Sequence, residues 1–241
     1  MKLERRDLAH VFARLLFVQA TLHRKGMQNI GVMHALDAAA PKLSADPGPF
    51  LARHAEHFNT NPNAAPIVVG GVLHIEEERS ATAPASVSRF KQAAASALAA
   101  MGDVLVVGGL KPLALTLAVV SAIYSFFTGL VAIFVCYNAA LLAGRYWGLS
   151  FGYARGWGVV DAFTGPRIQR VVMAARILAA FAGGALIGVM TRRAYAQGLV
   201  ELAVIAVATT GAWIAMKRGV TPARLAIILF PLVVVVAMLA K

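Results

Sequence analysis

Leu113 to Gly144 contains no charged residue. So long an apolar run must be solvated by lipid or enclosed by protein, because a water-facing helix needs a polar face. As one helix, Leu113–Ala143 would measure about 46 Å, well beyond the ~30 Å hydrocarbon core of a bilayer. With "FFTG" near its middle, the run reads as two shorter elements rather than one tilted rod. Three later segments are spans by length and hydropathy: Val171–Thr191, Leu199–Met216 and Leu225–Ala240. The first carries Arg176 and the second Glu201, and ionisable groups inside spans usually face protein or a water-filled cavity.

Composition supports the membrane class. The 241-residue chain is 59% hydrophobic, above the usual soluble range, with a mean hydropathy of +0.69. All six histidines and eight of the eleven carboxylates precede Arg79, leaving only Asp103, Asp161 and Glu201 as later acids. The net charge of +12 comes from basic residues that flank apolar segments. Anionic membrane lipid, not nucleic acid, is the partner this pattern fits. Basic loops follow two successive spans, at Arg192–Arg193 and at Lys217–Arg224, so the positive-inside rule assigns no orientation. Cys136 is the lone cysteine and can form no intramolecular disulfide. Glu4 and Asp7 interrupt the basic start, which does not read as a signal peptide.

The amino-terminal third is more polar. Leu8, Val11, Phe12, Leu15 and Leu16 form one helical stripe beside Arg5, Arg6 and Arg14, fitting either an interfacial amphipathic helix or an ordinary packed one. "HAEHFNTNPNAAPIVVGGVLHIEEE" (54–78) sets an amide cluster against an apolar segment too short to span. A re-entrant hairpin fits it, with Glu76, Glu77 and Glu78 marking the return to water. Asn59, Asn61 and Asn63 each offer a donor and an acceptor, which suits a neutral polyhydroxylated ligand; capping and turning around Pro62 is the structural alternative. His54 and His57 lie one helical turn apart but lack a third ligand cluster, so capping or an interfacial role is expected and no metal. Asp103 and Lys111 bracket the glycine-rich "DVLVVGGLK", an arrangement compatible with a midplane transport site or with close helix packing. No Walker loop, nucleophile elbow or Rossmann fingerprint occurs, so neither a catalytic residue nor a cofactor is expected in this chain.

Several of these motifs together resemble the IID membrane component of the mannose/fructose/sorbose family of the bacterial sugar phosphotransferase system. "MQNIG" (27–31) is similar to the family's M-Q-x-L-G, with Gln19 in the place of its upstream glutamine. "HAEHFNTNP" (54–62) resembles H-x-E-F-F-N-T-x-P, "MGDVLVVGGLKP" (101–112) resembles G-D-x-x-x-x-G-T-x-R-P, and "GRYWGLSFGY" (144–153) resembles R-Y-Y-G-x-x-x-G-Y. The resemblance implies an all-α integral membrane protein, multi-pass in the bacterial cytoplasmic (inner) membrane. It would have transmembrane helices, re-entrant or broken segments and an amino-terminal amphipathic helical region. Residues 1–80 would carry the sugar-site motifs and the re-entrant segment, and residues 81–241 the membrane-embedded helices.

The implied function is permeation of a hexose-type sugar by an oligomeric complex with a IIC subunit. Cytoplasmic IIA and IIB phosphocarrier domains would supply the phosphoryl chemistry. The implied substrate-binding residues are Gln19, Gln28, Asn59, Asp103 and Lys111. The sequence departs from the family at Lys25 and Met173, where the family carries acids, and at Arg176, where it carries a serine. "SALAAMGD" (96–103) keeps Gly102 and Asp103 of G-P-L-A-G-x-G-D but loses the earlier glycines and proline, and the connection near Arg192–Gly198 is short. These departures define the alternative: a transport-deficient regulatory module that docks IIA and IIB proteins.

Overall fold

The computed structural model describes residues 3–78, 83–197 and 199–219. Among these the chain is helical, with two isolated β-bridges and no extended strand. It divides into one compact unit, Met1–Gly183, and a second, Gly184–Lys241. In the first unit the polar amino-terminal helices are α1 (Arg5–Leu15), α2 (Asn29–Asp37), α3 (Ala40–Leu43) and α4 (Pro47–Ala52). They lead to α5 (Ala65–Glu77) and α6 (Ala83–Gly102). A π-helix, Asp103–Leu110, then runs directly into α7 (Lys111–Ile123), which is followed by α8 (Phe127–Arg155) and α9 (Gly158–Thr164). Helix α10 (Pro166–Gln197) runs from the first unit into the second, which also holds α11 (Leu199–Lys217).

The α1 stripe packs on protein except at its end, where Leu16 is 42% exposed. Leu8, Val11 and Leu15 are buried, and Phe12 meets the Tyr146 ring edge-on at 5.3 Å. On the polar side, Arg14 pairs with Asp37 at 2.6 Å and Lys42 with Asp7 at 2.7 Å. Both pairs are at the surface and contribute at most about 1 kcal/mol each.

Helix α5 corrects the re-entrant reading of its segment. It is one continuous helix, buried from Ala65 through Ile75 except for half-buried His74, so it neither dips nor returns. The physical reason is enclosure: a helix apolar on all sides satisfies its own backbone and belongs inside a protein core. The following glutamates do not all mark an exit to water either. Glu76 is buried, and Glu77 accepts from the Tyr153 hydroxyl at 2.6 Å and from the Leu3 amide at 3.2 Å. Only Glu78 is well exposed.

Glycines let α5 and α8 approach closely. A Cβ on Gly70 would lie 2.2 Å from the Leu149 carbonyl oxygen, and one on Gly152 2.1 Å from that of Ile67. The compositional change near residue 80 is therefore a change of surroundings, not of packing, since α5 packs on both α6 and α8.

The charge-free run is two helices, as its length requires. Helices α7 and α8 pack against each other and are separated by Tyr124–Phe126, where Ser125 turns the chain at φ +53°. Helix α7 buries none of its residues, and Phe134 of α8 is 69% exposed. Three described helical stretches are long and apolar enough to cross a membrane: Ala85–Ile123, Phe127–Arg155 and Pro166–Arg193. The expected span Val171–Thr191 lies within α10 and Leu199–Met216 within α11, while 225–240 lies outside the described residues.

The α5–α8 contact yields a direct test. Gly152→Leu should lower stability by about 1–3 kcal/mol or prevent assembly of the core, because backbone must move to admit the side chain. Gly183→Ala, with no atom within 4 Å of the added carbon, should leave stability unchanged. Thermal melts in detergent, followed by size exclusion, distinguish the two.

Candidate functional site

Two motifs distant in sequence form one knot. Met27 adopts a left-handed backbone (φ +56°), closing a tight loop in which His23 and Met27 exchange backbone hydrogen bonds. The Gln28 amide N–H then donates to the Phe58 carbonyl at 2.9 Å, and the Phe58 N–H to the Gly26 carbonyl at 3.2 Å. The Gln28 side chain grips Thr60 from both ends: Nε2 donates to the Thr60 carbonyl at 2.8 Å, and Oε1 accepts from its N–H at 3.2 Å. Asn29 donates to the Ala55 carbonyl at 2.6 Å, and Thr60 Oγ1 donates to the Ala95 carbonyl of α6 at 2.9 Å. Buried amides with both functions engaged are rigid supports.

The knot leaves Asn59 exposed, flanked by buried Phe58 and Thr60. Asn59 lines an open, mixed-polarity cavity of about 520 Å³ with His57, Lys91, Gln92, Ser96 and Ala99 among its walls. Hydroxyl- and amide-bearing walls that are open to solvent can bind a polyhydroxylated molecule through paired donors and acceptors.

Of the five sequence-derived site residues, Gln28 and Asp103 meet the segment that carries Asn59, through Thr60 and Asn61. Asn59 lines the cavity, whereas Gln28 is buried and is not among the residues that line it. Gln19 is exposed in the turn after α1. Lys111 lines an apolar groove between α7 and α8. Asp103 is exposed and accepts from Asn61 Nδ2 at 2.8 Å. Asp103 and Lys111 bracket a π-helix and not an irregular loop, since the widened turn keeps the backbone hydrogen-bonded through the glycines. Lys25 is exposed in the tight loop between α1 and α2.

Asn61 and Asn63, read as possible ligands or turn residues, build a polar chain. Asn61 Oδ1 accepts from the Asn63 N–H at 2.9 Å and from its side chain at 3.2 Å, and Asn63 Oδ1 accepts from Arg145 Nε at 2.8 Å. Arg145 was visible in sequence only as part of "GRYWG"; its partner lies 82 residues away.

A second cluster was not legible at all. Arg53 donates Nε to Glu76 Oε1 at 2.9 Å and Nη2 to Oε2, a bidentate pair. His54, fully buried, packs edge-on against Phe50 with Nε2 3.1 Å from Glu76 Oε1, off the line of a good hydrogen bond. Buried Lys91 pairs with Glu56 at 2.9 Å, and Glu56 also accepts from Ser88 Oγ at 2.8 Å. Among the described residues no three His, Cys, Asp or Glu side chains gather as a metal site.

This cage of charge sets protonation. Burial holds His54 below the usual histidine range, against the opposing pull of Glu76. Burial pushes the Glu76 carboxyl up, but the close approach of His54 and the paired hydrogen bonds of Arg53 outweigh it and hold the group below its usual range. Both shifts have the same sign for stability: the unfolded chain binds protons that the folded one excludes, so acid destabilises.

Among the described residues the chain is helical with three stretches long and apolar enough to cross a bilayer, the make-up of an integral-membrane protein. The chain belongs to the PTS system mannose/fructose/sorbose family IID component, matched over residues 2–240. It is 29% identical over 197 residues to the mannose-specific EIID component of Escherichia coli K12, covering 79% of this chain and 70% of the relative. It is 28% identical over 196 residues to the fructose permease IID component of Bacillus subtilis 168, covering 79% and 71%. A solved membrane-protein structure superimposes with a TM-score of 0.78 at 25% identity, covering 100% of this chain and 98% of the other. A chain of the mannose transporter ManYZ in complex with microcin E492 superimposes with a TM-score of 0.61 at 26% identity, covering 99% and 97%. The expectations of family, all-α membrane fold, inner-membrane location and IID permease role are therefore met.

The cage predicts a pH dependence. Melting temperature should be highest above about pH 6.5, the ordinary histidine value, and fall as pH drops through the lower folded value of His54. His54→Gln should flatten that portion of the curve. Glu76→Gln should cost about 3 kcal/mol at neutral pH by leaving Arg53 unmatched. Chemical denaturation across pH 5–8 measures both.

Proposed function

We propose that this IID subunit forms with a IIC subunit the translocation pathway for a hexose-type sugar, with IIB phosphorylating the sugar on the cytoplasmic side and IIA supplying IIB. The observation that carries this reading is the exposed Asn59 amide, held at a polar cavity by a buried clasp in a chain of the IID family. In this reading Asn59 contributes the hydroxyl contacts, and Gln28 and Thr60 position it. Gln19, Asp103 and Lys111 are exposed and available to a partner subunit. Residues 1–80 carry the sugar-site motifs, and residues 81–241 supply the membrane helices.

The regulatory alternative drew on Lys25, Met173 and Arg176. All three are exposed in this chain, so none buries an uncompensated charge or disrupts the core. They do not argue against transport. In this reading their exposed charges, Lys25 and Arg176, are open to a partner's acid or an acidic sugar.

Labelled-hexose uptake in cells carrying IIA, IIB and IIC, with and without this chain, tests the reading; equal uptake in both would overturn it. Asn59→Ala should reduce uptake up to about tenfold, the value of one or two hydrogen bonds, with assembly intact. Gln28→Ala should instead lower the yield of folded complex. Lys25→Glu, paired with the native IIC, should abolish uptake of the natural substrate if that substrate or IIC presents an opposing acid.

A further inference from the structure

We propose that the groove between α7 and α8 binds one anionic phospholipid, with an acyl chain along the groove and the headgroup phosphate on Arg145. Arg145 is half-buried, and its Nε is fixed by Asn63. Its two Nη groups donate to nothing among the described residues, and no carboxylate lies within ion-pair distance. Asp103 is bonded to Asn61 instead, so two amides separate this acid from the guanidinium. A fixed guanidinium presenting free, forked donors matches a phosphate.

The space beside it is apolar. Arg145 and Asn63 stand at one edge of a cavity of about 190 Å³ whose other walls include Ile67, Leu105 and Trp147. That cavity shares Leu110, Ala140 and Leu141 with a second, of about 320 Å³, which continues between α7 and α8 to Leu117 and Ile133. Along α8 the distance from Arg145 to Ile133 is about 18 Å. One leaflet of acyl chain occupies about 15 Å, half of a ~30 Å hydrocarbon core. No charged side chain lines this second cavity, which is distinct from the groove on the same helix pair that Lys111 lines. A sugar would leave its hydroxyls unpaired there, and a free phosphate would gain nothing from the groove.

Depth agrees as well. From Phe127 to Arg145, α8 rises about 27 Å, close to one hydrocarbon thickness. Arg145 thus stands where the charge-free hairpin would leave the hydrocarbon, at the level of the headgroups. This inference depends on the membrane fold and not on the sugar reading.

Native mass spectrometry of the IIC–IID complex, titrated with phosphatidylglycerol or chain-matched phosphatidylcholine, tests it. The wild-type complex should retain one phosphatidylglycerol in preference to phosphatidylcholine. Arg145→Gln should weaken that retention on the order of tenfold, and Arg145→Lys less. Ala140→Phe, which fills the groove and leaves the cation in place, should weaken retention of both lipids at this site. Monodisperse assembly of Ala140→Phe keeps the test decisive even if Arg145→Gln misfolds. Equal retention by wild type and Ala140→Phe would overturn the proposal. So would displacement of the lipid by inorganic phosphate alone, which would mark a small-anion site. Loss of IIC from Arg145→Gln with lipid retention unchanged would assign Arg145 to a carboxylate of the partner.

Discussion

The contact on which the first unit depends is the near-touching of α5 and α8 through Gly70 and Gly152. Two backbones approach this closely only where side chains are absent, and the seam then holds the two ends of the molecule's polar chemistry in register. Upstream of α5 lie the amides of 59–63; at its end lie Glu76 and Glu77. Helix α8 carries Arg145 to the first and Tyr153 to the second. Gly148, facing Ile67, lies between the two contacts on the same helix. A shift of one helix turn would break both polar connections at once, which makes the glycine seam a determinant of the site as well as of the fold.

Burying a helix as apolar as α5 creates a second requirement. Its carboxyl-terminal end brings Glu76 into the interior, and the segment before it answers with Arg53 and His54. The neighbouring Lys91–Glu56 pair ties the same segment to α6 and stands at the edge of the Asn59 cavity. Buried ion pairs add little net stability when complete, but each member becomes costly to leave alone. The cage therefore acts on uniqueness: it fixes where residues 53–57 lie, and through them where Asn59 points. A coupling between acid destabilisation and the shape of the cavity that Asn59 lines follows from that shared position.

Much of this architecture was legible in the chain. The length of the charge-free run required a break near "FFTG", and the hairpin turns at Tyr124–Phe126. The α1 stripe marked a buried face, although periodicity alone could not say whether lipid or protein would cover it. The motif resemblance put Gln28 of "MQNIG" and Asn59 of "HAEHFNTNP" in one implied site, and the two motifs are in direct contact. Roles within them were not legible, because a glutamine that clasps a backbone and one that binds a ligand look alike in sequence. Gln28, an implied ligand residue by resemblance, clasps the Thr60 backbone with both ends of its amide. Likewise Glu76 and Arg145 have partners 23 and 82 residues away, distances at which local pattern carries no information. The hairpin reading of 64–73 failed for a related reason: a short apolar run says that water is excluded, not what excludes it.

The π-helix between Asp103 and Lys111 has a local cause with a wider effect. Pro112 lacks the N–H that an α-helix would direct to the Gly108 carbonyl, and the chain responds by widening: the Lys111 N–H reaches back to the Val106 carbonyl. Gly109 accommodates the wider turn against Ala175, where a Cβ would come within 3.0 Å. Each residue of widening changes which side chains face which neighbour, so α7 leaves the segment rotated relative to a simple continuation of α6. That rotation separates two roles along one continuous helical path. Up to Gly102, whose bare Cα touches Asn61, the path belongs to the polar core. Beyond Lys111 it presents an uncharged surface to α8 and the bilayer. A single proline, supported by two glycines, thus marks the point where a site-building helix becomes a membrane-facing one.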